Sequence, residues 1–339
     1  MLTIPLYRQH FSTQRTLLLQ SDDFQVHTFQ YHSGVQAVEI KNSQGHLVLL
    51  PFMGQMIWDA KFLGTDLTMK NMFSEPKPGN TIVETYGCFA FHAGMLRMGC
   101  PTPADDHVLH GEMPCAAMDH AWLEITPEQV TLKGSYEYVM GFGHHYLATP
   151  SVQLGKDASV FDIQMSVQNL ASVPMPLQYM CHINPAYFNN AVMKQNLPDQ
   201  AFALRDSVPA HVQPTEQWLA YNQQLSSSAP LSTLDKPQMH DPEIVYCLDN
   251  LSQFTDQAVF KMDIGDKYLV TEFSTQQFNS ATRWILYNQD QQVAAYAIPA
   301  TGRPEGFLAA QQKGTVIYLQ PNQTRSFKVR TGIRYSDPQ

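Results

Sequence analysis

Apolar and polar residues alternate along the chain wherever a regular pattern is present. Apolar side chains at every second position of Phe161–Gln168 are separated by Asp, Gln and Ser, and Phe327–Ile333 repeats this pattern against Lys328 and Arg330. A period of two is typical of a strand with one buried and one hydrated face. Both segments are therefore predicted to be antiparallel β-strands.

Turn-forming residues separate these apolar runs at short intervals. They occupy Asn42–Gly45, Thr126–Gln129, Gly155–Asp157, Ile264–Asp266 and Asn288–Gln291. Asn, Asp, Gly and Pro favour tight turns because they adopt backbone conformations or local hydrogen bonds that other residues avoid. The sequence predicts an all-β fold built largely as a meander.

Two segments depart from this pattern. Asp199–Arg205 is predicted to form a short helix, and the surrounding Gln195–Asp256 segment is rich in Ser and Pro with little alternation. A long irregular stretch inside a regular domain is usually a surface excursion. We therefore expect one domain over residues 1–339, with this excursion at about 195–256.

Composition restricts the class of ligand. Only 15% of the residues are charged, against about 25% in an average globular protein. The formal net charge is -9, and the Lys and Arg residues are scattered. A nucleic-acid or anionic-membrane surface normally carries a basic stripe, so we expect neither partner, and a neutral polar small molecule is favoured.

The cysteines and the N-terminal segment indicate the compartment. The five cysteines are widely spaced and form no Cys-x-x-Cys pair, which favours reduced thiols over a zinc or disulfide site. Met1–Arg8 resembles no secretory leader, and no apolar run reaches about 18 residues. We expect a cytoplasmic protein.

Two polar clusters next to Gly, Pro or Asn are candidates for the walls of a pocket. They are Asp105–Pro114 and Tyr179–Asn189. A metal site formed by His107, His110 and Glu112 is one alternative. On a strand, His110 and Glu112 would share a face while His107 points away, so these ligands could converge only with a bulge. No metal is therefore the favoured interpretation.

Several motifs carry a family resemblance. His110-Gly111 precedes a second histidine, His182, in the segment Cys181–Phe188. The other motifs are Pro51–Ile57, Tyr86–Cys88, Met95–Pro101, Pro299–Thr301, Gly306-Phe307 and Leu319–Thr324. Their order and spacing resemble the galactose mutarotase (aldose 1-epimerase) superfamily, most closely its DUF4432-type branch, from about residue 30 to residue 335.

The resemblance implies a β-supersandwich that binds a sugar on the concave face of its larger sheet. It also implies an isomerase that needs no cofactor, in which a carboxylate deprotonates the anomeric hydroxyl and a histidine protonates the ring oxygen. By resemblance, His182 matches the acid and His110 the histidine that orients the sugar. The alternative for His182 is a structural role at a bend.

Further residues near these motifs are candidates for sugar binding. Arg97 could donate a forked pair of hydrogen bonds to hydroxyl groups, or it could pair with Asp105 or Asp106. Asn184 and Tyr187 lie at the bend after His182. Tyr187 could stack on a pyranose ring, although packing in the core is the commoner use of such a residue.

One departure from the family pattern affects the catalytic base. Where the family has Glu-Pro, this chain has Ile298-Pro299. Glu305 is the predicted replacement and Glu112 a second candidate, while a solvated loop carboxylate is the alternative for Glu305. The sequence thus leaves two functions open: an aldose 1-epimerase-like isomerase, or a sugar-binding or sensing protein that has lost the base. A homodimer is also left open.

Overall fold

The computed structural model describes residues 1–205, 208 and 212–336. Its first strands are β1 (Leu2–Leu6), β2 (Thr16–Gln20), β3 (Gln25–Gln30), β4 (Gln36–Lys41), β5 (Gly45–Leu50), β6 (Met56–Phe62), β7 (Thr65–Asp66), β8 (Ala90–Met95), β9 (His120–Ile125), β10 (Gln129–Val139) and β11 (His145–Gly155). The later strands are β12 (Val160–Asn169), β13 (Met175–Ile183), β14 (Val192–Gln195), β15 (Phe202–Leu204), β16 (Ile244–Asp249), β17 (Gln257–Asp263), β18 (Lys267–Ser274), β19 (Ser280–Tyr287), β20 (Gln292–Ala300), β21 (Ile317–Leu319) and β22 (Thr324–Tyr335).

Helices are few among the described residues. The α-helices are α1 (Glu216–Ser226) and α2 (Phe307–Lys313). Short 3-10 helices occupy Arg8–His10, Ile82–Glu84, Asp199–Ala201, Pro237–Met239 and Leu251–Gln253. Neither α-helix is long and apolar enough to cross a membrane, within the part of the chain that the structure describes.

The strands form two antiparallel sheets. Over the described residues, the smaller sheet has the order β1-β9-β10-β11-β12-β22-β18-β17-β14. The larger sheet has the order β15-β16-β19-β20-β13-β8-β6-β5-β4-β3-β2, with β21 and β7 attached to β13 and β6. The predicted all-β supersandwich is confirmed, and so are the two strands predicted from alternation, which pair directly as β12 and β22.

The main core lies between the two sheets, because its residues come from both. Leu132 and Ile163 of the smaller sheet belong to the same buried cluster as Val38 and Cys181 of the larger sheet. Strands of the larger sheet also bury residues on their opposite face, where a second cluster includes Met180 and Ile298. This second apolar face positions the candidate site.

A bulge changes the alternation of β20. Thr282 of β19 pairs with Ile298, but Trp284 pairs with Ala295, so β20 contains one extra residue. Tyr296 and Ala297 consequently both belong to the main core. The bulge brings Ile298 back onto the second face, since a bulge re-aims the side chains that follow it.

The 195–256 segment is more regular than its sequence pattern indicates, although residues 206, 207 and 209–211 lie outside the described residues. It contains α1 and also β16, which pairs with β19 in the larger sheet. Buried Arg283 links the segment to the sheet by donating to the Leu231 carbonyl at 2.7 Å and to Gln195 at 2.8 Å.

The helix predicted at Asp199–Arg205 is wrong. A single 3-10 turn at Asp199–Ala201 leads directly into strand β15 at Phe202–Leu204. Pairing with β16 supplies the backbone hydrogen bonds of this segment, and tertiary pairing of this kind overrides a weak local helical preference.

All five cysteines are free thiols, as predicted. Cys88, Cys181 and Cys247 are buried, whereas Cys100 and Cys115 are partly exposed. Burial raises the pKa of Cys100 to about 11, so this thiol keeps its proton near neutral pH.

Candidate functional site

A cavity of about 410 Å³ lies on the second face of the larger sheet. Alternate residues of neighbouring strands line it: Met180 and His182 of β13, Thr282, Trp284 and Leu286 of β19, and Ile298 of β20. Successive side chains of a strand point to opposite faces, so each strand contributes a residue at every second position. The lining is mostly apolar, with a few polar groups among the apolar side chains.

His182 is 4% exposed and held on three sides. Its ring stacks on Phe91 with centroids 4.5 Å apart, and these two residues are directly paired across β8 and β13. Its Nδ1 lies 2.8 Å from Asn184 Oδ1, and its Nε2 lies 3.3 Å from the Tyr86 hydroxyl.

The hydrogen bonds of Asn184 fix the tautomer of His182. Asn184 Nδ2 donates to the Cys88 carbonyl at 3.1 Å, and since a carbonyl can only accept, Asn184 Oδ1 must face His182. The proton therefore lies on His182 Nδ1. Nε2 then carries the lone pair and accepts the hydrogen bond of the Tyr86 hydroxyl, and both residues line the cavity.

Burial also determines the charge of His182. Desolvation lowers the pKa of His182 from 6.5 to about 3, against the smaller opposing effect of its hydrogen bond to Asn184. The imidazole is therefore neutral near pH 7. Nε2 is thus a hydrogen-bond acceptor, engaged by the Tyr86 hydroxyl, and has no proton of its own to donate.

His110 lies beside His182 at the same wall. The two ring centroids are 4.8 Å apart in an edge-to-face arrangement. His110 adopts a positive φ of 62° and Gly111 one of 81°. A Cβ on Gly111 would lie 2.0 Å from the Arg97 carbonyl, so the His-Gly pair requires glycine at this close backbone approach.

A carboxylate enters the same cavity from the start of β16. Glu243 is 6% exposed; its Oε2 accepts a hydrogen bond from Trp284 Nε1 at 2.6 Å, and its Oε1 contacts Arg205 Nη2 at 2.5 Å. The Trp284 ring centroid lies 5.8 Å from that of His182. Trp284 thus contacts both the carboxylate and the imidazole, and all of these side chains line the cavity.

A family model described as "Domain of unknown function (DUF4432)" matches residues 32–333. The chain belongs to the DUF4432 family. No curated protein matches it. The suspected family is therefore confirmed, while its description leaves the activity open.

Solved structures resemble this DUF4432 chain in fold. A candidate aldose 1-epimerase from Klebsiella pneumoniae aligns with a TM-score of 0.81 at 15% identity, covering 98% of this chain and 91% of that one. A galactose mutarotase-like protein from Clostridium acetobutylicum aligns with a TM-score of 0.64 at 13% identity, covering 93% and 100%. Identities this low establish the shared mutarotase-like fold alone.

Of the residues predicted for the site, the structure places His182, His110 and Asn184 together. His182 and His110 line the cavity. Asn184, predicted to contact the sugar, is fully buried behind His182. Its observed contacts are with His182 and Cys88, so it positions the imidazole.

Glu305, the predicted base, lies on a separate polar cavity of about 620 Å³. There it pairs with Lys313 and faces Arg303 at 3.6 Å. The cavity that contains His182 is lined by Asp241 and Glu243 instead. Of these two carboxylates Glu243 is the buried one, and it bonds to Trp284, which contacts His182.

Glu112 and Arg97 have structural contacts. One Glu112 oxygen accepts from the backbone amides of Met95 at 2.9 Å and Leu96 at 2.8 Å, and from the Tyr146 hydroxyl at 2.8 Å. Arg97 donates to Asp106 at 3.1 Å and its guanidinium lies 3.6 Å from the Phe307 ring centroid. The pairing left open for Arg97 in the sequence is thus the one found.

Tyr187 is a core residue, 9% exposed. Its hydroxyl lies 2.8 Å from His240 Nδ1, and its ring packs against Tyr287 with centroids 4.8 Å apart. This is the packing role that the sequence left as the alternative to sugar stacking.

The ligand set considered for a metal does not converge. His107 Nδ1 contacts the Val108 carbonyl at 2.8 Å, whereas Glu112 faces backbone amides. Within residues 1–205, 208 and 212–336, no three His, Cys, Asp or Glu side chains are grouped as metal ligands.

Sequence reasoning missed Glu243, Trp284 and Thr282, and gave no role to Tyr86 within its motif. Glu243 follows Asp241-Pro242 and precedes the apolar run of β16. A carboxylate directly at the start of a buried strand was the available signal, but the surrounding Ser- and Pro-rich composition indicated a surface excursion.

Proposed function

We propose that the chain is an aldose 1-epimerase-like isomerase that binds a neutral aldose in the 410 Å³ cavity. The observation that carries this proposal is the neutral, tautomer-fixed His182, whose Nε2 is an acceptor bonded to Tyr86 in the wall of a cavity in a mutarotase-like fold. The shared fold of the Klebsiella and Clostridium proteins supports a sugar ligand.

His182 alone can carry the proton through the reaction. In the complex the anomeric hydroxyl takes the place of the Tyr86 hydroxyl as the donor to Nε2. Nε2 accepts its proton, the bond between C1 and the ring oxygen breaks, and O1 becomes the carbonyl oxygen of the open-chain aldehyde. The imidazolium then returns the same proton to the former ring oxygen. O1 and the ring oxygen are both bonded to C1 in the closed sugar, so one nitrogen can exchange a proton with either. Rotation about the C1–C2 bond before the ring closes again gives the other anomer.

This route explains how isomerisation could survive with an aliphatic residue at the expected base position. Ile298 lines the cavity where the family resemblance predicts glutamate. General acid–base catalysis by one positioned group contributes roughly 100- to 10,000-fold. A base with a pKa of about 3 is poorly matched to neutral pH, so we expect an acceleration near the lower end of that range.

Glu243 and Arg205 bind and orient the sugar in this proposal. A carboxylate and a guanidinium in contact offer acceptors and donors side by side, which suits neighbouring hydroxyl groups. Trp284 positions the carboxylate through its indole N–H at 2.6 Å. Its ring provides an apolar surface for a pyranose face.

A sugar-binding or sensing protein is the second candidate. Ile298 and the contacts of Glu243 favour it, because both oxygens of this carboxylate are already engaged, one by Arg205 and the other by Trp284. Both candidates share the cavity and differ only in whether the anomers interconvert.

Exchange spectroscopy by NMR distinguishes these candidates. Anomer exchange and binding are measured on the same samples across a panel of aldoses. Acceleration that is lost in His182→Gln, with sugar binding retained, supports the isomerase. Saturable binding without exchange supports the binding protein, and absence of both contradicts the two candidates together.

A further inference from the structure

Thr282 carries an unsatisfied buried hydroxyl in the wall of the cavity. The residue is 4% exposed and lines the cavity. Among the described residues, no donor or acceptor lies within hydrogen-bond distance of its Oγ1. Buried hydroxyl groups almost always have a partner, so one left without a partner at a cavity indicates where a ligand atom binds.

The surroundings of Thr282 are apolar. Its direct cross-strand partners are Ile298 of β20 and the buried Cys247 of β16, and residues paired in this way have side chains on the same face. Met180 pairs with Ala300, two residues further along β20, and lines the same cavity. Met180 and Ile298 are each 1% exposed. Thr282 thus places a hydroxyl group on a largely apolar part of the wall.

A fully hydroxylated sugar fits this part of the wall poorly. A hydroxyl group pressed against Met180 and Ile298 would lose its water without gaining a partner, which is costly, whereas a methyl or methylene group gains by burial there. A sugar oxygen next to that carbon could bond to the Thr282 hydroxyl, which both donates and accepts.

We propose that Thr282, Met180 and Ile298 form a subsite for a deoxygenated part of an aldose. The Thr282 hydroxyl bonds one sugar oxygen, and the two apolar side chains contact a neighbouring carbon that bears no hydroxyl. The inference rests on the proposed sugar site and names its substrate class, a deoxyaldose.

The first arm of the test compares sugars that differ by one hydroxyl group. Titration calorimetry with the full chain measures L-fucose against L-galactose, L-rhamnose against L-mannose, and 2-deoxy-D-glucose against D-glucose. In at least one pair the deoxy sugar is expected to bind 5-fold or more tightly than its parent. If the parent binds as tightly or more tightly in every pair, or if no sugar binds, the subsite is contradicted.

The second arm uses Thr282→Val, which removes the hydroxyl and keeps the shape. It is expected to weaken binding of the preferred sugar by about 5- to 10-fold, while the melting temperature stays level or rises because an unsatisfied hydroxyl is lost. Thr282→Ser should keep the wild-type affinity. Unchanged sugar binding in Thr282→Val overturns the proposal, whatever the change in melting temperature.

Thr275→Val is the matched control. Thr275 is 1% exposed and its hydroxyl donates to the Thr255 carbonyl at 2.6 Å. Its substitution should lower the melting temperature and leave sugar binding unchanged. Anomer exchange measured on the same samples separates the two proposals, since a bound deoxy sugar that does not interconvert contradicts the isomerase and leaves the subsite intact.

Discussion

Trp284 donates its indole N–H to Glu243 at 2.6 Å, and this bond links β19 to the start of its neighbouring strand β16 on the face that carries the cavity. The same carboxylate contacts Arg205. The backbone carbonyl of Glu243 accepts a hydrogen bond from the indole N–H of Trp218 in α1 at 2.8 Å. Glu243 therefore connects the 195–256 segment to the sheet face that holds His182. The segment forms part of the site as well as part of the fold.

Glu243→Gln should destabilise the protein. The change replaces a buried carboxylate that accepts hydrogen bonds from both Trp284 and Arg205 with a neutral amide. Weakening these charge-assisted hydrogen bonds costs about 1–3 kcal/mol, which urea denaturation would measure. Asp263→Asn is the control, because its partner Lys194 is 64% exposed and exposed pairs contribute little. Equal stability changes in the two variants would contradict the buried role of Glu243.

Asn184→Asp should raise the pKa of His182 from about 3. A carboxylate at this position would lie beside Nδ1 and stabilise the imidazolium, since an opposite charge nearby favours the charged form. Nitrogen-15 NMR of the histidine rings follows both tautomer and titration. The wild type should show the proton on Nδ1. A proton on Nε2 in the wild type, or an unchanged titration in the variant, would contradict the positioning role of Asn184.

Glu305→Gln should leave anomer exchange unchanged within about 2-fold, because its carboxylate faces Lys313 and Arg303 on the other cavity. General base catalysis would require it to lie within hydrogen-bond reach of the sugar or one water away. NMR exchange rates for the variant and the wild type provide the comparison. A loss of 100-fold or more would return Glu305 to the role of base.

Stability should fall as the pH drops from 6.5 toward 4.5. Burial lowers the pKa of His92 and His182 to about 3 and that of His240 to about 4, from 6.5. The unfolded chain therefore binds more protons than the folded chain in this window. Each such histidine lowers the free energy of unfolding by up to about 1.4 kcal/mol for every unit by which the pH falls.

Chemical denaturation at several pH values measures this slope. His92→Phe should reduce the dependence of the free energy of unfolding on pH by up to the contribution of one proton. His92 is 2% exposed and its ring stacks on Tyr179, so its protonation is coupled to unfolding. A free energy of unfolding that stays constant between pH 6.5 and 4.5 would contradict the neutral, buried state of these histidines.

The sequence predicted the fold because alternation is local and repeats along the chain. Phe161–Gln168 and Phe327–Ile333 both showed a period of two and lie on adjacent strands. The helix at Asp199–Arg205 failed because pairing of β15 with β16 is a long-range contact that local composition does not reveal.

Residues of the candidate site could be predicted where they lie in a recognisable local motif. His110 and His182 lie in such motifs and both line the cavity, while a catalytic role for either stays a prediction. The carboxylate was not, because Glu243 reaches the cavity through the pairing of β16 with β19 and through its bond to Trp284. Thr282 was missed for a similar reason, since it belongs to the cavity only through the register of β19 with β20.

The central claim, that neutral His182 carries the proton between the two oxygens bonded to C1, is tested most directly by NMR anomer exchange. The exchange rate of a bound aldose is measured at pH 5 to 8 for the wild type, for His182→Gln and for a control, His120→Gln. His120 is an exposed histidine on β9. We predict wild-type acceleration that varies little over this range, is retained in the control, and falls by roughly 100-fold or more in His182→Gln. Equal exchange in wild type and His182→Gln, or no acceleration for any aldose that binds, would contradict the account.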